Sequence, residues 1–153
     1  MLHLVWATLV RTAMADELKG GCLCGAVTFR TSGEPLGAMH CHCRDCQRAT
    51  GSGFVTAYGV PRTQFTLEQG NDQLGAHQTT ADSGGTVTRE FCRDCGSPLF
   101  SYTTSYPGDI WIKAGTLDDP DEITPAASCF TWCATAWAPP DPQIANWPRL
   151  PEV

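Results

Sequence analysis

The chain is poor in positive charge. Ten Lys and Arg stand against sixteen Asp and Glu, giving a net charge of −6 over 153 residues. A nucleic-acid partner needs a basic face to neutralise phosphates, so that class is excluded as an expectation, a zinc-ribbon nucleic-acid protein included. Long apolar runs are also absent: none approaches the ~18 residues of a membrane span, and no membrane partner is expected. Internal repeats, low-complexity tracts and interdomain linkers are missing too. What remains, 42% hydrophobic and 17% charged residues, is the composition of one globular domain.

The first residues, Met1 to Val10, are apolar, and Ala13-Met14-Ala15 resembles a small-residue cleavage site. A signal peptide would carry a basic segment before its apolar part, and here Arg11 instead interrupts that part. Residues 1–17 therefore read as an N-terminal extension, either disordered or the product of a start placed upstream of Met14. The domain proper is expected over 18–137, with a Pro-rich tail over 138–153 that lies extended on the surface or trails off.

Cysteine is the residue in excess. Seven of the nine fall in close groups: Cys22/Cys24, Cys41/Cys43/Cys46 and Cys92/Cys95. C-x-C and C-x-x-C neighbours suit a metal better than a structural disulfide, and an odd total argues against complete pairing. Both features indicate a reducing, cytoplasmic compartment. Zinc takes four ligands in a structural site and three plus an open position in a working one. Cys22, Cys24, Cys92 and Cys95 make a closed set that joins the two halves of the chain. Cys41, Cys43 and Cys46 then remain as a three-sulfur set with an open position. Spacing leaves a second partition available, with Cys92/Cys95 joining Cys41/Cys43 and Cys22/Cys24 acting as a redox or accessory pair. The bland reading of the triplet is a structural zinc completed by His40, His42 or a later cysteine. His42 is expected to point away from the metal, and His40 and His77 to be ordinary strand residues.

Around these groups the pattern is that of short strands divided by turns, which predicts an all-β domain. Val27 and Phe29 alternate with Thr28 and Arg30. Further strands are expected at Gly37–Cys41, Phe54–Val60, Phe65–Glu68, Leu74–Thr79, Thr86–Phe91, Leu99–Tyr102 and Asp109–Lys113, with one helical turn over Arg44–Ala49. Gly20, Gly21 and Gly25 are expected to let the backbone approach a metal. Cys129 and Cys133 read as small core residues, and Trp111, Trp132 and Trp137 as core or pocket wall.

The segments GGCLCGAVTF, CHCRDCQRATGS, FCRDCGSPLF and AGTLDDP together resemble the glutathione-dependent formaldehyde-activating enzyme family, which includes centromere protein V. The likeness runs from about Lys19 to about Trp137. It implies a mainly β, mostly antiparallel single-domain β-tent stapled by zinc–cysteine sites. It also implies that Cys22, Cys24, Cys92 and Cys95 hold a structural zinc, and that Cys41, Cys43 and Cys46 hold a catalytic one. The activity implied is that of a carbon–sulfur lyase, with glutathione and formaldehyde combining to S-hydroxymethylglutathione. A non-catalytic glutathione-binding or protein-interaction module is the alternative. Arg44, Arg48 and Arg93 flank the clusters and are candidates to hold glutathione carboxylates. One departure stands out. Pro125 and Trp137 occupy family positions, but Ser128 stands where a histidine is often found.

Overall fold

A computed structural model describes residues 17–150. The N-terminal extension expected over 1–17 thus falls, but for Glu17, outside the described residues, as do 151–153. Eleven strands and one α-helix are described. Three strands form a small sheet: β1 (Glu17–Gly21), β2 (Thr28–Ser32) and β5 (Phe65–Gln69), in the order β1-β2-β5. The others are β3 (Gly37–Cys41), β4 (Val55–Pro61), β6 (Leu74–Thr80), β7 (Thr86–Cys92), β8 (Pro98–Thr103), β9 (Tyr106–Lys113), β10 (Ala127–Cys129) and β11 (Ala145–Asn146). They build a second sheet in the order β11-β10-β3-β4-β9-β8-β7-β6. The helix α1 spans Arg44–Thr50. The mainly β architecture expected from the alternation is what is found.

Alternation along the central strands gives the large sheet two different faces. On β4 and β9, Tyr58, Val60, Ile110 and Ile112 enter the main core with Phe29, Leu99 and Phe100. Phe100 meets Phe29 edge-on at 5.1 Å between ring centroids, and Phe65 at 4.9 Å. These contacts fasten the small sheet onto the large one. The intervening residues of the same strands, Val55, Ala57, Trp111 and Lys113, line a cavity on the opposite side. Burial of the first set supplies the apolar driving force, and it decides which residues the second face can offer to chemistry.

Three features depart from the expected pattern. β10 runs parallel to both β3 and β11, so this end of the sheet is not antiparallel. A parallel pair needs a long crossover, and here the chain between Cys41 and Ala127 provides it. Secondly, the tail from Ala138 does not trail off but lies on the surface, exposed or half-buried, and is fastened there: β11 pairs with β10, the Trp147 amide donates to the Ser128 carbonyl at 2.8 Å, and Trp147 packs with Met39 and Cys129. The expected boundary at Trp137 therefore falls within packed structure. Thirdly, Gly20 and Gly21 are strand residues. A Cβ on Gly20 would lie 2.3 Å from the Thr116 carbonyl oxygen, and one on Gly21 would lie 2.6 Å from that of Val27. Their bareness admits neighbouring backbone and not a metal.

Candidate functional site

The two cysteine groups assemble as the first partition required. Cys22, Cys24, Cys92 and Cys95 bring their sulfurs within 4.8 Å of one another, and so, separately, do Cys41, Cys43 and Cys46. All nine cysteines are free.

The four-cysteine set joins the turn after β1 to the turn after β7. Cys22 Sγ lies 3.5 Å from Cys24 Sγ, and Cys24 Sγ lies 3.8 Å from Cys92 Sγ. Four sulfurs about 2.3 Å from one ion stand about 3.8 Å apart, so these separations fit a tetrahedral zinc. Each turn closes on a glycine in the left-handed region, Gly25 at φ 78° and Gly96 at φ 75°, where a side chain would be strained. Hydrogen bonds favour thiolate at Cys22 and Cys95 but not at Cys24, where the Ala26 amide lowers the pKa and Cys22 and burial raise it more, to about 12. Burial raises the pKa of Cys22, but the Val27 N–H donating to its sulfur at 3.2 Å, with Cys24 and Cys92, lowers it more. The Ser97 hydroxyl and amide pull the Cys95 thiol down to about 5.

The three-cysteine set stands where β3 ends and α1 begins. Cys43 is the helix N-cap, and its sulfur accepts from the Cys46 N–H at 3.3 Å. One side chain thus serves both the helix terminus and the metal set. Gly51 closes the helix in the left-handed conformation, with its amide donating to Gln47. Gln47 is buried and was not singled out in the sequence. Its Nε2 donates to the His42 carbonyl at 2.7 Å and to the Cys133 carbonyl at 3.0 Å, while its Oε1 accepts from Arg44. The spacing Cys43-x-x-Cys46-Gln47 carries no signal for this. The partner at Cys133 is 86 residues away.

Without a metal these thiols hold their protons. The hydrogen bond with Cys129, then that with Cys43, raises Cys41. Cys41 lowers the Cys43 pKa, but Cys46 and burial raise it more, to about 11. Cys41 and burial bring Cys46 to about 11 as well. Three thiols this close ionise only against a positive centre, and they fit the geometry of one.

The triplet lines a cavity of about 540 Å³. Its apolar wall includes Met39, Val55, Ala57 and Val87, with Trp111, Phe130, Trp132 and Trp147. Trp132 is 60% exposed, and Phe130 is, among the described residues, the non-glycine one at positive φ, 54°. Arg44, Arg89 and Lys113 bring cations to the wall, against Asp45, Asp82 and Asp109. Arg89 is tied by Thr79 at 2.7 Å and Asp45 at 3.7 Å. Lys113 is 8% exposed and donates to Ser101 Oγ at 2.8 Å. Burial lowers its pKa, and the sulfurs of Cys46, Cys41 and Cys43 act in the opposite direction.

Of the three arginines named from the sequence, Arg44 lines the cavity; Arg48 and Arg93 do not. Trp137 is exposed and likewise stands apart from it. His42 is 1% exposed with neither ring nitrogen partnered, and it lies outside both sulfur groups. His40 is a strand residue whose Nδ1 meets Thr56 Oγ1 at 2.9 Å. Cys129 is buried against Met39 at 3.5 Å and sits opposite Cys41 in the β3–β10 pair. Cys133 lines the cavity. Ser128 is fully buried and is not part of the cavity wall, so a side chain at this position leaves the sheet on the other face.

Taken together, the chain is a mainly β protein with one closed and one open set of metal-competent thiols, the open set facing a cavity. Residues 17–133 match the profile of the glutathione-dependent formaldehyde-activating enzyme family. The chain belongs to that family. A Halomonas elongata protein described as a candidate glutathione-dependent formaldehyde-activating enzyme is 27% identical over 103 residues. That match covers 66% of this chain and 66% of the relative, just under two thirds of its length. An uncharacterised lyase of Schizosaccharomyces pombe is 28% identical over 108 residues, covering 71% of this chain and 74% of the relative. The fold is similar to that of a Rhodobacter sphaeroides protein solved by crystallography, with a TM-score of 0.55 and 21% identity over 84% of this chain and 98% of that one.

Proposed function

We propose that the chain is a zinc-dependent thiol-adduct enzyme, joining the sulfur of glutathione to formaldehyde and, in reverse, acting as a carbon–sulfur lyase. The observation that carries this reading is the separation of the sulfurs into a closed set of four and a set of three that opens on a cavity. Cys41, Cys43 and Cys46 would hold the zinc, which would supply the positive charge that favours an incoming sulfur as thiolate at neutral pH. In the addition, the glutathione S–H bond breaks, a C–S bond forms to the carbonyl carbon, and the carbonyl oxygen ends as a hydroxyl carrying one proton. The chain's own part is to bind and orient. Arg44 and Arg89 lie on the wall where a carboxylate can meet them. The apolar residues beside the triplet keep water from the reacting sulfur. Cys22, Cys24, Cys92 and Cys95 act at a distance, by holding the two halves of the fold together through their own zinc.

Ser128 does not weaken this reading. The residue faces away from the cavity, so its difference from the family's histidine removes no group from the wall. The nine free thiols suit a reducing compartment such as the cytoplasm.

Zinc per chain, measured with and without millimolar glutathione on the wild type and on Cys43→Ser, tests the proposal alongside formaldehyde consumption. About two zinc ions in the wild type and about one in the variant are expected, with turnover abolished by the substitution. Equal zinc in both proteins, or turnover that survives the substitution, would remove the triplet from the reaction.

A further inference from the structure

A buried cation is costly unless something of opposite charge faces it. Lys113 is such a cation. It sits near the centre of the large sheet, on β9 between β4 and β8, with Ala57 opposite it on β4. Ser101 on β8 takes one of the three hydrogen bonds an ammonium can give. Among the described residues Lys113 forms no ion pair with a carboxylate. The ionisable groups that act on it most are the thiols of Cys46, Cys41 and Cys43, together with Arg89, which repels it; Asp45, Asp82 and Asp109 line the same cavity.

Protonated thiols would leave this ammonium uncompensated. Three thiolates around a divalent ion carry one net negative charge, and Lys113 balances it. A fourth sulfur entering as thiolate adds another negative charge, which a centre without Lys113 would have to accept with the buried cation of its own sheet face removed.

We propose that Lys113 is the counter-charge of the three-cysteine centre and sets that centre's affinity for an incoming thiolate. The inference rests on the thiol-binding reading above, and it assigns the residue a task distinct from gripping the rest of glutathione. Arg44 and Arg89 reach carboxylates; Lys113 acts on the sulfur, whatever molecule carries it.

The test is calorimetric titration of zinc-loaded wild type, Lys113→Met and Lys113→Arg with two probes, glutathione and 2-mercaptoethanol. The second has no carboxylate. Lys113→Met should weaken both thiols by about tenfold or more, whereas Lys113→Arg should stay within about threefold of wild type. Zinc content and melting temperature, recorded beside each titration, identify a variant that has lost its metal or its fold. Should the Met protein not fold, Lys113→Gln, which can still donate to Ser101, takes its place with the same expectation. Weakening confined to glutathione would make Lys113 a carboxylate contact and overturn the proposal. Equal affinities in wild type and both neutral variants would overturn it while leaving the proposed function standing. Failure of the wild type to bind either thiol would remove both.

Discussion

Gln47→Met removes two local bonds, to the His42 carbonyl and from Arg44, and the one bond that ties the triplet's helix to Cys133 far along the chain, while nearly keeping side-chain length. The His42 carbonyl receives its bond in a buried setting, and the Cys133 carbonyl in a partly buried one. A buried acceptor left without a donor costs about 1–3 kcal/mol, and an ordinary net hydrogen bond is worth about 0.5–1.5 kcal/mol. The loss of both therefore comes to about 2–4 kcal/mol, less whatever water recovers at Cys133. For a domain of this size each kcal/mol lowers the melting temperature by roughly 2–4 °C, so a fall of roughly 5–15 °C is expected. The assay is thermal denaturation of the zinc-loaded protein, followed by zinc release to a chromogenic chelator at a temperature where both proteins are folded. Release from the triplet should be faster in the variant, because Cys43 and Cys46 flank the helix start that Gln47 anchors. Release from the four-cysteine set should not change. A variant with wild-type melting and wild-type release would refute the view that these bonds hold the site together.

Four further outcomes follow from the same geometry. Cys24→Ser should cost far more stability than Cys43→Ser, since it opens the set that joins β1 to β7; comparing urea midpoints of the zinc-loaded proteins checks this. Zinc uptake at the triplet should depend steeply on pH. Thiols raised to about 11 at Cys43 and Cys46 must lose their protons on binding, so apparent affinity rises with pH by up to about tenfold per proton released per pH unit. In the four-cysteine set Cys24, pushed up to about 12, must also lose its proton, but Cys95, already thiolate above about pH 5, releases none at neutral pH, so this set should release fewer protons than the triplet; calorimetry in buffers of different ionisation enthalpy counts them. Arg44→Ala should weaken glutathione binding by about tenfold, whereas Arg48→Ala and Arg93→Ala should leave it unchanged in the same titration. Phe100→Ala, which empties the junction with Phe29 and Phe65, should cost about 3–5 kcal/mol by denaturant unfolding.

Much of this protein could be read from the chain because its signals are local. Cysteines two or three residues apart already share one turn, so the two metal-competent groups were visible as C-x-C and C-x-x-C, with Gly25 and Gly96 closing two of those turns. Alternation over residues 27–30 and 109–113 announced strands that overlap the observed Thr28–Ser32 and Tyr106–Lys113, since a strand's side chains obey a period of two wherever one face is buried. The helix at Arg44–Thr50 was legible from Gly51. What stayed hidden depends on contacts between distant residues. β10 has three buried residues and no alternation, and it exists because β3 offers an edge beside it. The tail joins the sheet only through β10, so Pro-rich composition suggested a surface segment. Arg44, Arg48 and Arg93 look equivalent beside their cysteines, but the fold turns only Arg44 into the cavity. Lys113 read as the polar end of an alternating strand. Only the tertiary structure placed it, buried, on the cavity face with the three thiols, because which face of a strand is filled by core and which by chemistry is decided by what the rest of the chain packs against it.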